Sequence, residues 1–214
     1  MNVLYILLGW LFGILSPRIV SYISNHYKKI ALQRIIVEEL KDIKRRLVFI
    51  PLTVYPSYGH LEIKHYLWIK EQTNNFTELM SDEKDKKKLK KMLEQDNKAE
   101  NIVKLFNINK ISDNPAFNFK KIETSIIDSN QNNFDIIDNQ FLTKILEIKF
   151  QIGIYNEEIR TLNEFLKMTF DSNITETNHQ IIKKQIETKN YFIAEKAMFV
   201  VKKINKIINK LNNK

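Results

Sequence analysis

The residues in this chain that could do chemistry are few, and their spacing works against them. Four histidines occur, His26, His60, His65 and His179, and the only cluster among them is His60-x-Glu62-x-x-His65. A zinc helix of the His-Glu-x-x-His kind needs its histidines four apart on one face, with the glutamate beside the first. Here they stand five apart, about 140° round a helix, so they diverge. With no cysteine, the chain has no disulfide, no thiolate zinc site and no thiol nucleophile. Four scattered glycines cannot build a phosphate-cradling loop, and there is no Gly-x-Ser-x-Gly elbow. The paired acids Glu38-Glu39 and Glu157-Glu158 sit among lysines, as on solvated helix faces. The expectation is a non-enzyme: no catalytic residue, no metal, no cofactor and no small-molecule substrate.

What remains is charge. The net charge is +9, from 34 basic and 25 acidic residues. Three groups of cations stand out: Arg18, Lys28, Lys29 and Arg34; Lys86, Lys87, Lys90 and Lys91 in DEKDKKKLKKMLEQ; and Lys202, Lys203, Lys206 and Lys210 in a final arm that has no acid after Lys196. Such groups attract either anionic lipid, at about 1 kcal/mol per cation near the surface, or nucleic acid. The basic residues are nearly all lysine. Base-reading surfaces favour arginine for its bidentate fork, so this composition fits a diffuse field better. The plain alternatives are a solvated helix face for 86–91 and a complement to the helix dipole for the final arm.

The element that would position these cations is the opening stretch, MNVLYILLGWLFGILSPRIVSYI. No charged side chain occurs from Val3 to Leu15, and the first charge is Arg18. That run alone spans only ~20 Å of helix, but extended to Ile23 it spans ~31 Å and matches a bilayer core. The helix must then run through Pro17, with Arg18 snorkelling to the headgroups. A cleaved signal peptide would begin with basic residues and end on small ones, and Ser16-Pro17-Arg18 is a poor cleavage site. A buried first helix is the other alternative. The positive-inside rule puts the flank carrying Arg18, Lys28, Lys29 and Arg34 in the cytoplasm and the N-terminus outside. Gly9 and Gly13 form a Gly-x-x-x-Gly pair that would let a second anchor approach as a dimer face. The expected division is a transmembrane anchor at 1–23 and a cytoplasmic helical bundle at 24–214.

The body reads as all-α, because proline and glycine are scarce and leucine, isoleucine, lysine and glutamate abundant. Ile36, Leu40, Ile43, Leu47 and Ile50 form a 4-3 seam that continues the anchor as one rod. PLTVYPSYG at 51–59 predicts a turn or kink, a second helix follows from His60 to Gln72, and Ser81 opens a third. Residues 107–138 show weak periodicity and predict a long connection with short helical turns, either covering the bundle or meeting a partner. Phe141, Ile145, Ile148, Ile152, Tyr155, Ile159, Leu162 and Leu166 predict a long helix capped by Asp138 or Asn139. A capping box at Thr177-x-x-Gln180 predicts a second arm, with Ile182, Ile186, Ile193, Ala197, Val200, Ile204, Ile207 and Leu211 inward. The two arms, 139–170 and 178–211, should form an antiparallel hairpin, with an intermolecular coiled coil as the alternative.

The opening LLGWLFGILSPRIV with its basic rod, and FLTKILEIKFQIGIYNEEI further on, resemble uncharacterised bacterial single-pass membrane proteins, some of them called putative phage abortive-infection proteins. The resemblance implies a defence or stress context and carries over no site residue. The asparagine- and isoleucine-rich composition fits an AT-rich bacterial genome. Together these readings lead us to expect a binding or scaffolding component at the bacterial inner membrane, with lipids and a protein partner or a second copy as its contacts. The alternatives are a membrane-tethered nucleic-acid-binding protein and a pore-forming effector.

Overall fold

The structure, a computed structural model, describes residues 2–74, 99–108, 117–171 and 173–212. Every regular element among them is helical. In order these are α1 (Asn2–Tyr58), α2 (Ile63–Asn74), α3 (Ala99–Ile108), α4 (Ser125–Ser129), a 3-10 turn (Gln131–Ile136), α5 (Asn139–Met168) and α6 (Glu176–Asn212).

Helix α1 runs without interruption through Pro17, Pro51 and Pro56. Of the turn or kink expected at 51–59, the turn comes only at the far end, at Gly59, and the helix continues through both prolines. Proline withholds a backbone donor and normally bends a helix. Here Pro51, Val54, Tyr55 and Pro56 are all buried, so tertiary packing holds the turns that local preference would break. The helix ends at Gly59, whose φ of 72° only glycine adopts without strain. His60 N–H donates to Tyr55 O and Gly59 N–H to Pro56 O, the paired bonds of a Schellman cap.

The core is a three-helix layer built on the expected seams. Ile36, Leu40, Ile43, Leu47 and Ile50 of α1 are buried, as are Phe141 through Leu162 at 4-3 spacing on α5. Between them lies α6, burying Ile182, Ile186, Ile193, Ala197, Val200, Ile204 and Ile207. α6 is antiparallel to both neighbours. Against α5, Lys189 pairs with Glu158 and Lys203 with Glu147. Against α1, Asn190 Nδ2 donates to the Tyr58 hydroxyl, while the Tyr55 hydroxyl lies against Met198 Sδ. The predicted hairpin is present. Its second arm starts earlier than the capping box implied: the cap is Thr175, whose hydroxyl accepts from Asn178 N–H, and Gln180 bonds Glu176 instead.

The connection before α5 covers the bundle. Ile122, Ile127 and Ile137 are buried. Asn156 on α5 grips Ile122 through both backbone groups, accepting its N–H at 2.8 Å and donating to its carbonyl at 2.9 Å. Glu39 on α1 accepts Ile126 N–H at 2.7 Å and Ile127 N–H at 2.9 Å, giving α4 a charged acceptor for its orphan donors. Asn107 of α3 clamps Leu61 in the same way as Asn156 clamps Ile122.

Among the described residues no helix is long and apolar enough to cross a membrane. Nearly all the side chains of Val3–Leu15, on which the expected anchor rests, lie outside the described set, as does the third helix expected from Ser81. What is described of α1 before Leu32 is solvent-exposed almost throughout. Trp10 is 66 %, Val20 62 %, Tyr22 75 % and Tyr27 69 % exposed, whereas Leu32 falls to 5 %. Before Leu32, then, α1 extends away from the bundle formed by the described residues.

Candidate functional site

The histidines do not converge. His65 is buried and its ring stacks on Tyr55 with centroids 3.9 Å apart, whereas His60 is exposed, with Nε2 3.9 Å from Glu187. Burial holds His65 below the ordinary imidazole range, against the upward pull of Glu62 and Glu195. Its Nδ1 accepts the Glu62 N–H at 3.4 Å. No group of three potential metal ligands occurs among the described residues. Around the same end of α1, burial pushes the Tyr55 phenol up to about 12 and also raises Tyr58 and Tyr191. These phenols are packing groups, protonated at any physiological pH.

The cations do converge, at the opposite end. Because α6 runs antiparallel to α1, its last turns come back to the point where α1 leaves the bundle. α5 starts at the same place. Gln33 Nε2 donates to Asp138 Oδ2 at 3.3 Å, and Lys210 Nζ donates to Gln140 Oε1 at 3.0 Å. Asp138 also caps α5 by accepting Phe141 N–H at 2.8 Å. Between the three helices lies a cleft of about 170 Å³, lined by Lys29, Lys144 and Lys210 together with Phe141, Ile207 and Leu211.

Of the residues singled out from the sequence, Lys29 and Lys210 meet in this cleft, and Lys206 lines a second hollow beside it, shared with Lys144. Lys28, Arg34 and Lys202 are exposed on the same helices, and Arg18 lies further out along α1. Lys203 is already engaged, by Glu147 and by the Phe199 ring at 5.2 Å. A side chain added at Gly13 would meet nothing within 4 Å, so the glycine there faces open space, while the surroundings of Gly9 are outside the described residues. Lys86, Lys87, Lys90 and Lys91 also lie outside them.

Two features escaped the sequence reading. Lys144 stands just before the seam residue Ile145 and looks like an ordinary solvated lysine; only the return of α6 gives it cationic neighbours. The second is a ladder on α6 in which Lys189, Lys196 and Lys203 alternate with Phe192 and Phe199, each ammonium 5.2–5.9 Å from a ring centroid. Its 3-4-3-4 spacing was visible in the sequence. The same lysines reach across to Glu158, Gln151 and Glu147, so the ladder stitches α5 to α6.

A scan of protein-family models finds no match for the chain, and neither a search of the curated proteins nor one of the solved structures does.

Proposed function

We propose that this chain is a single-pass, membrane-anchored, non-enzymatic binding or scaffolding component, with its bundle on the cytoplasmic side. The observation that carries this reading is the course of α1. It continues well past the bundle formed by the described residues, and Val20, Tyr22, Ile23 and Tyr27 on it are exposed. Exposed apolar surface costs about 25 cal/mol per Å² in water, so a stretch of this kind calls for an apolar surrounding. The sequence ahead of it, Val3 to Leu15, contains no charged side chain. Continuity through Pro17 supplies the length that the apolar run alone lacks. Arg18, Lys28, Lys29 and Arg34 follow that run, and the positive-inside rule assigns their flank to the cytoplasm. The resemblance of the opening stretch to putative phage abortive-infection proteins adds a defence or stress context to the proposal.

Extraction of native membranes at alkaline pH, combined with a reporter fused after Lys214, tests the reading. The chain should stay in the membrane pellet, and only a cytoplasmic-type reporter should be active. Release into the wash, or activity of a periplasmic-type fusion, refutes the anchor or its orientation respectively.

A further inference from the structure

We infer that the cleft between α1, α5 and the end of α6 is a binding site for the headgroup of an anionic phospholipid. The inference rests on the anchor reading above for its location and on the cleft itself for its chemistry. From Ile23 to Lys29 the helix rises by about 9 Å. A headgroup layer is roughly 5–8 Å deep on each side of the hydrocarbon core. The mouth of the bundle, where α1 emerges between the start of α5 and the end of α6, therefore lies at the outer edge of the headgroup layer, from which the long lysine stems reach back to the lipid phosphates.

The lining matches that ligand. Lys29, Lys144 and Lys210 present three ammonium groups, and Lys29 and Lys144 have no ion-pair partner among the described residues. Among the described residues Lys210 is held by the neutral amide of Gln140. The acid of the lining, Asp138, is turned to structural use by Phe141 N–H and Gln33. A phosphate on the lysines leaves its glycerol and first methylenes against Phe141, Ile207 and Leu211, which a free anion would not use. The apolar lining and small volume distinguish this cleft from a nucleic-acid groove, which needs an extended cationic track. Lys206, beside the cleft, extends the same field.

The test uses the full chain in neutral detergent, titrated with phosphatidylglycerol or phosphatidylcholine and read by native mass spectrometry as retained lipid. The triple variant Lys29→Gln/Lys144→Gln/Lys210→Gln is compared with Lys167→Gln/Lys183→Gln/Lys184→Gln, which removes equal charge at the far end of the bundle. Circular dichroism checks that both remain helical. The expected result is a preference for phosphatidylglycerol of about tenfold or more, lost in the first variant and kept in the second. Equal retention of the two lipids by the parent overturns the inference, as does an equal loss in both variants. Displacement of the lipid by millimolar inorganic phosphate alone assigns the site to a free anion and overturns it too. Because the assay is run in detergent, it is independent of topology. A chain that selects phosphatidylglycerol yet washes out of membranes defeats the anchor reading and leaves the cleft standing.

Discussion

The grip of Asn156 on Ile122 makes the sharpest prediction about how the connection is held. Replacing Asn156 with alanine deletes two hydrogen bonds, of 2.8 and 2.9 Å, to a residue that is 5 % exposed. Each bond contributes about 1 kcal/mol net, and each backbone group left buried without a partner costs about 1–3 kcal/mol. Part of that cost is recovered when the strip lifts and water reaches it, so the local penalty is about 2–4 kcal/mol. At 1.4 kcal/mol per decade this is a loss of roughly 30- to 700-fold in protection of the Ile122 amide. Hydrogen exchange on the full chain in detergent, read at 117–124 and compared with α5 and α6, measures it. The strip should open while the seams of α5 and α6 keep their protection, because Asn156 itself lies outside the buried seam. Asn156→Asp keeps an acceptor for the Ile122 N–H but sets a carboxylate against the carbonyl, and should fall between the two. If the alanine variant protects Ile122 as the parent does, the side chain does not hold the strip and the reasoning fails.

Three further outcomes can be checked on the same preparation. Ile152→Asp puts a charge into the α5 seam at a residue 2 % exposed, and should cost about 3–5 kcal/mol in a denaturant melt; an unchanged midpoint would remove this seam from the core. Gly59→Ala must adopt a φ near 72° and should destabilise by about 1–2 kcal/mol, whereas Ser57→Ala nearby should cost less. Burial lowers the pKa of His65, so the unfolded chain binds its proton more readily and stability rises with pH. That contribution is complete above the ordinary value of 6.5 and is lost as the pH falls from there towards the folded value. Thermal melts between pH 8 and about 5 should show it, and His65→Phe, which preserves the stack on Tyr55, should flatten that part of the curve.

The long seams were legible because each apolar position on them has one job, to face a neighbouring helix, and that job leaves a period in the sequence. Ile36 to Ile50, Phe141 to Leu162 and Ile182 to Ile207 are of this kind. Pro51 and Pro56 misled because local preference speaks of the isolated chain, and here burial of Pro51, Val54, Tyr55 and Pro56 outweighs it. The packing of 117–138 was hidden for a different reason. Glu39 and Asn156 hold it through backbone groups, and a backbone contact leaves no trace in residue type at the partner position. The cationic cleft was half visible: its lysines on α1 and α6 stood out as local clusters, but their meeting depends on chain direction, and Lys144 acquires its meaning only from that meeting.

The unbroken course of α1 has a consequence for how this protein tolerates insertions and deletions. A helix that is continuous from Asn2 to Tyr58 fixes rotational phase along its length. Each residue added between Ile23 and Leu32 turns the bundle by about 100° and moves it by about 1.5 Å relative to everything before it. One extra residue would swing the cationic cleft away from its former azimuth. Seven, close to two full turns, would nearly restore the azimuth while moving the bundle about 10 Å further off. Insertions of one, four and seven residues therefore separate two variables that substitutions cannot: the direction in which the bundle faces, and how far it stands from the apolar run.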